Sequence, residues 1–79
     1  GQSGWFAMIK LLINCCQNRQ PVEIIYMDGA GRLSRRIIFV KRIEGKRITA
    51  YCTLRQDLRT FHLEGILAIQ RFIRFQPPA

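Results

Sequence analysis

Apolar residues recur first with the spacing of a helix and then, further along the chain, with the spacing of strands. One face of the first segment carries apolar side chains at i, i+3 and i+4 positions: Trp5, Met8, Ile9, Leu12 and Cys16. This spacing predicts a helix over residues 5–18, which Pro21 prevents from continuing. Phe6, Leu11 and Ile13 make the helix apolar nearly all round. We therefore expect the sheet to enclose the helix, or another chain to contact it.

Beyond Pro21, five short segments with strand character are separated by polar or glycine-containing turns. These segments are residues 22–26, 33–43, 47–54, 59–63 and 66–75. The last segment also fits a helix, which is the weaker option because its first residues alternate. One helix followed by five short antiparallel strands predicts a mainly β fold, either a strongly bent sheet or a small barrel. A single domain fills residues 1–79, with the barrel over 22–75, a tail over 76–79 and the composition of a cloning remnant at 1–4.

The third and fourth segments form a hairpin with one apolar and one polar face. Ala50, Cys52 and Leu54 alternate with more polar residues, which predicts that these three face the core. The opposite face then combines cationic, hydroxyl and aromatic side chains: Arg47, Thr49, Tyr51, Thr53 and Arg55. A turn at residues 56–57 would bring Arg55 close to Arg59.

This hairpin resembles the WYL domain, a module of bacterial transcription regulators. The family carries a phrase close to aromatic-x-x-x-Arg, a short turn and Arg-Thr-Phe-Arg-Leu-Asp-Arg-Ile. Here the phrase reads Tyr51, Arg55, and then Arg59-Thr60-Phe61-His62-Leu63-Glu64-Gly65-Ile66. Upstream, Val22-Glu23-Ile24-Ile25-Tyr26 and Ser34-Arg35-Arg36-Ile37 match the first two strands of the family, so the resemblance spans roughly residues 11–69. Arg47-Ile48-Thr49 replaces the triplet that names the family, and His62 and Gly65 stand where the family usually has arginines.

The resemblance implies an Sm-like, SH3-type barrel that senses a nucleic acid or a nucleotide-type ligand and controls an attached regulator. It places ligand contacts at Arg35 or Arg36, at Arg55 and at Arg59, with Tyr26 and Tyr51 as neighbours. Each tyrosine would stack on a base or, alternatively, pack with its hydroxyl at the surface. His62 faces away from Phe61 and is either a ligand contact or an exposed strand residue.

The charge balance favours a polyanionic partner. The chain has 13 Lys and Arg against 5 Asp and Glu, a net charge of +8. Nine of the basic residues lie between residues 32 and 59, and seven of these nine are arginines: Arg32, Arg35, Arg36, Lys41, Arg42, Lys46, Arg47, Arg55 and Arg59. Arginine binds phosphate through two donors and stacks on bases, so the cluster favours single-stranded nucleic acid. The alternative is a solvated basic face on which Arg59 pairs with Asp57.

Nothing in the sequence predicts catalysis, a cofactor or a metal. The five acids are scattered, and no nucleophile elbow or phosphate loop is present. One histidine and three cysteines without a Cys-x-x-Cys pair do not form a recognisable zinc site, and reduced thiols favour a cytoplasmic location. No apolar run reaches the ~18 residues of a membrane span.

Together, these patterns predict a non-enzymatic regulatory module that binds single-stranded nucleic acid or a nucleotide-type ligand. The alternative is a protein-interaction or oligomerisation module that uses its apolar helix. We expect a homo-oligomer because the core is small and the helix is apolar. A helix-turn-helix regulator is a further expected partner, since WYL proteins usually carry such a domain.

Overall fold

One helix and five strands follow one another in the order that the sequence predicts. The structure, a computed structural model, describes residues 2–72. Its elements are α1 (Gln2–Gln17), β1 (Val22–Met27), β2 (Leu33–Glu44), β3 (Arg47–Cys52), β4 (Asp57–His62), a 3-10 helix (Leu63–Gly65) and β5 (Ile66–Arg71). The mainly β class is confirmed, and the last segment is a strand over Ile66–Arg71. Its predicted extension over 73–75 and the tail 76–79 lie outside the described residues.

The five strands form one antiparallel sheet in the order β4-β3-β2-β1-β5. A closed barrel is not confirmed, because over residues 2–72 β4 and β5 form the two edges of the sheet and do not pair. After β4 the chain passes through the 3-10 helix to the other side of the sheet. There β5 pairs with β1 and forms the edge opposite to β4. Side chains bridge the gap: the Tyr26 hydroxyl accepts a hydrogen bond from the His62 N–H at 3.0 Å, and the Tyr26 ring meets Phe61 edge-on at 5.0 Å.

The core lies between α1 and one face of the sheet, called here the inner face. Met8, Leu12 and Cys15 of the helix pack against buried strand residues. Those strand residues are Val22, Ile24, Ile38, Val40, Ile48, Ala50, Cys52 and Phe61. The helix therefore buries one face, while Trp5, Phe6 and Ile13 remain 41–63% exposed. No helix within residues 2–72 is long and apolar enough to cross a membrane.

The prediction that Leu54 faces the core is wrong, since this side chain is 69% exposed. β3 ends at Cys52, and residues 53–56 form a turn that the alternating pattern extended as strand. Gln56 has a left-handed φ of 57°, and its N–H donates to the Cys52 carbonyl at 2.7 Å. This turn replaces the shorter one predicted at residues 56–57, and β4 consequently begins at Asp57.

Gly65 packs directly against the Tyr26 ring at the end of β1. A Cβ atom at this position would stand 2.7 Å from the Met27 carbonyl oxygen and 2.7 Å from Cε1 of Tyr26. Neither distance is compatible with a side chain. The arginine that the WYL pattern has here is therefore incompatible with this position of Tyr26.

Candidate nucleic-acid interface

A β-bulge in β2 decides which basic residues share a face. Phe39 pairs with Tyr51 and Arg42 pairs with Thr49, whereas Lys41 has no partner on β3. Because side chains alternate along a regular strand, Arg42 and Phe39 would otherwise lie on opposite faces. The extra residue puts Arg42 on the same face as Phe39.

The face of β2, β3 and β4 opposite to α1 is called here the outer face, and it carries three rows of paired residues. The rows are Phe39–Tyr51–Leu58, Arg42–Thr49–Thr60 and Glu44–Arg47–His62. The first row is aromatic and apolar, the second adds a guanidinium and two hydroxyl groups, and the third adds a carboxylate, an arginine and a histidine. The prediction that Arg47, Thr49 and Tyr51 share a face is confirmed by this register.

Most groups on the outer face are accessible to a ligand. Leu58 is 58% exposed, His62 and Arg47 are exposed, and Tyr51 and Phe39 are half-buried. Arg42 lies 3.9 Å from Glu44 in an exposed ion pair that contributes little, while within residues 2–72 no carboxylate forms an ion pair with Arg47. Half-exposed aromatic rings beside cations and hydroxyl groups are the combination that holds single-stranded nucleic acid.

A cavity of about 200 Å³ lies next to the aromatic row. Pro21, Ile37, Phe39, Thr53 and Phe72 line it. The Thr53 hydroxyl donates to the Ile37 carbonyl at 3.0 Å, so its oxygen lone pairs remain free to accept. The cavity extends the apolar surface of the outer face towards β1.

Arg59 is separated from Tyr51 by the sheet, contrary to the expectation that they share a site with Arg55. Arg59 pairs with Ala50, which places it on the inner face, and its guanidinium lies 3.9 Å from the Asp57 carboxylate. This contact is the alternative that the sequence left open for Arg59. Arg55 lies in the turn after β3 and belongs to neither face.

Arg36 belongs to the inner face, where internal contacts hold it. Its Nε donates to the Ser34 hydroxyl at 3.2 Å, and its Nη1 lies 3.5 Å from Sγ of Cys52. Burial opposes ionisation of Cys52, yet the N–H groups of Arg55 and Leu54 and the Arg36 guanidinium together hold the pKa of this thiol below its ordinary value. Arg36 therefore has fewer donors for a ligand than an unengaged arginine.

Tyr26 has a structural role, because its hydroxyl and ring both serve the contact between β1 and β4. Arg35 lies on the outer face near β1, where it forms an ion pair with Glu23. Of the eight predicted site residues, the structure brings together Arg47, Tyr51 and His62. It places Arg35 beyond the aromatic row, Tyr26, Arg36 and Arg59 across the sheet, and Arg55 in the turn.

Glu23 is 9% exposed and is held by two neighbours. A hydrogen bond from Gln70 and the ion pair with Arg35 lower the pKa of Glu23 below its usual range. A carboxylate with a lowered folded-state pKa stabilises the fold above its unfolded-state pKa, and this contribution is lost as pH falls through the folded-state value.

Glu23→Gln is expected to make the fold less sensitive to acid. The variant lacks the contribution of the carboxylate, so its melting temperature should fall less between neutral pH and about pH 3 than that of the parent. Glu44→Gln, at an exposed position, serves as the matched control and should retain the parental fall. An equal fall in the Glu23→Gln variant would show that this carboxylate contributes nothing to the pH dependence.

Comparison with known proteins supports the fold. No family model and no curated protein match this sequence. The fold is similar to part of proteasome accessory factor B/C (PafBC) of Arthrobacter aurescens, with a TM-score of 0.77 and 12% sequence identity. The match covers 86% of this chain and 11% of the PafBC chain. Similarity at this level of identity concerns the fold alone.

The sequence pattern did not place four residues of the outer face beside Tyr51: Phe39, Arg42, Glu44 and Leu58. Phe39 lies in a continuous apolar run, which predicts burial on both faces. The bulge that brings Arg42 to Phe39 has no glycine to mark it. Leu58 could have been found by starting β4 at Asp57, since it then alternates with Arg59 and shares a face with Thr60 and His62.

Proposed function

We propose that this chain is a non-enzymatic regulatory module of WYL type that binds single-stranded nucleic acid on the outer face of β2, β3 and β4. The resemblance in the hairpin supports the family, and the fold similarity agrees with it because PafBC is a WYL-domain-containing transcription regulator. The proposal therefore links the module to transcription regulation. Since this chain spans 11% of the PafBC chain, the activity of that whole protein does not transfer with the fold.

The observation that carries the proposal is the row Phe39–Tyr51–Leu58 beside two rows that contain two arginines, two threonine hydroxyl groups and His62, with the Glu44 carboxylate at their margin. Bases stack on aromatic rings without sequence preference, and phosphates bind the neighbouring arginines. Tyr51 and Arg47 are four residues apart on β3, which separates them by about 13 Å. This length suits contact with a short segment of a single strand.

Arg47→Gln is expected to weaken binding of a fluorescein-labelled oligothymidylate and to reduce its salt dependence. Each phosphate contact to a single strand contributes roughly −0.7 to the slope of log K against log salt, so the slope should become less negative by about that amount. Fluorescence anisotropy at several salt concentrations measures both quantities. Arg32→Gln removes the same charge from the turn before β2 and should leave the slope unchanged.

Equal losses in the Arg47→Gln and Arg32→Gln variants would show a merely basic protein without a site. Binding of mononucleotides but not of oligomers would favour a nucleotide-type ligand on the same face. Failure of every nucleotide to bind at low salt would favour the alternative, a protein-interaction module.

One observation supports that alternative: Trp5, Phe6 and Ile13 of α1 are exposed. If the chain is a protein-interaction module, light scattering should detect a dimer or larger species at micromolar concentration.

A further inference from the structure

β2 is longer than β1, and a cleft forms where it extends beyond its neighbour. β1 pairs with β2 only as far as Ile38, so residues 39–44 of β2 have a strand neighbour only on the β3 side. The end of α1 and the segment that follows it lie against this free stretch and border a half-open cavity of about 470 Å³. This volume lies within the range of small-molecule binding sites.

Two basic residues of this cavity, Arg19 and Lys41, lie at local irregularities of the backbone. Arg19 adopts a left-handed φ of 55° after the last turn of α1, a position at which glycine is usual. Lys41 is the unpaired residue of the β2 bulge. Both residues line the cavity, and Arg71 lies next to it, donating to Oε1 of the lining residue Gln20 at 2.9 Å.

No carboxylate balances these cations within residues 2–72. The described ion pairs use Glu23, Glu44, Asp57 and Glu64, all with other partners. Asp28 accepts hydrogen bonds from the backbone N–H groups of its own turn. The cavity therefore has a net positive lining, which complements an anion.

The other lining residues have apolar side chains or thiols. Cys15 and Val40 are buried, and Phe39 is half-buried. The half-buried thiol of Cys16 also lines the cavity. A purely inorganic anion would leave the apolar wall in contact with water, whereas an organic anion covers it.

We propose that this cleft between the end of α1 and β2 binds a small organic anion, with its acidic group at Arg19 and Lys41 and its apolar body against Val40 and Phe39. The cleft shares Phe39 with the aromatic row of the outer face but otherwise lies beyond the edge of the rows, and it does not depend on the binding of nucleic acid there. The chemical class is an aromatic or aliphatic body with one sulfonate, phosphate or carboxylate group.

Anilinonaphthalene sulfonate, an aromatic anion whose fluorescence increases on binding, is the probe. The double variant Arg19→Asn, Lys41→Gln should bind it about tenfold more weakly, as expected for the loss of charge-assisted contacts. Asparagine tolerates a left-handed φ, so the end of the helix is preserved. Uncharged phenylnaphthylamine should bind the parent and the double variant equally. Saturating sulfonate probe should also slow maleimide modification of Cys16, mapped by mass spectrometry.

Lys10→Gln and Arg32→Gln are the matched controls, and both should leave the affinity for the sulfonate unchanged. Lys10 lies 5.1 Å from the Phe6 ring centroid, so a loss of affinity in that variant would place the probe on the exposed helix and overturn the proposal. An undiminished rate of Cys16 modification would overturn it as well. The single variant Lys41→Gln, at an exposed strand position, tests the site even if the double variant does not fold.

Discussion

Replacing Gly65 with alanine is expected to destabilise the folded chain by about 1–3 kcal/mol, the usual cost of adding atoms to a packed site. The new Cβ would lie 2.7 Å from the Met27 carbonyl oxygen, which belongs to the backbone of β1 and cannot rotate away. It would also displace the Tyr26 ring from its edge-on contact with Phe61. Thermal unfolding should show a fall of roughly 4–8 °C for each kcal/mol in a domain of this size.

Gly29→Ala is the matched control for Gly65→Ala. A Cβ atom at Gly29 meets nothing within 4 Å, and this glycine does not have a positive φ. The control should therefore change the melting temperature little. If the Gly65→Ala variant is as stable as the parent, Tyr26 and the end of β1 can move without loss of stability. The contacts of Tyr26 with Phe61 and His62 would then contribute little to the stability of the fold.

Replacing Tyr51 with alanine is expected to weaken oligonucleotide binding by about 1–3 kcal/mol, the usual contribution of one stacked base. Tyr51 lies at the centre of the row Phe39–Tyr51–Leu58, so its loss removes the middle of the stacking surface. The slope of log K against log salt should remain unchanged, because no phosphate contact is removed. Fluorescence anisotropy titrations with the same labelled oligomer measure both quantities.

Tyr51→Phe retains the ring and should bind nearly as well as the parent. Arg59→Gln provides the control for the face, because Arg59 lies on the inner side of the sheet beside Asp57. It should bind like the parent, although the sequence alone placed Arg59 in the same site. If Arg59→Gln proves as harmful as Tyr51→Ala, the nucleic acid contacts the other side of the hairpin and the proposed face is wrong.

Much of the fold follows from local periodicity. The helix, the five strands and their order along the chain could be predicted. Apolar residues have helical spacing before Pro21, and after it they alternate with polar residues as strands require. The same alternation predicted correctly that Arg47, Thr49 and Tyr51 share a face. It could not predict that β4 and β5 remain unpaired, because this depends on the path of the 3-10 helix across the sheet.

The candidate site was predicted less completely, because two irregularities change which residues share a face. The turn over residues 53–56 removes Arg55 from β3, and the left-handed Gln56 that shapes it is not a glycine. The bulge at Lys41 moves Arg42 to the face of Tyr51. Register also separates Arg59 from Tyr51, although both belong to one hairpin and are close in sequence.

His62 connects two environments that are otherwise separated by the thickness of the sheet. Its side chain stands opposite Arg47 on the outer face, while its N–H is held by the Tyr26 hydroxyl at the edge of the core. In hydrogen-exchange experiments we expect this amide to be protected only while Tyr26 remains in place. Its imidazole resonances should respond to a ligand that binds beside Arg47. A single residue can thus report, by NMR, both the integrity of the open sheet and the occupancy of its surface.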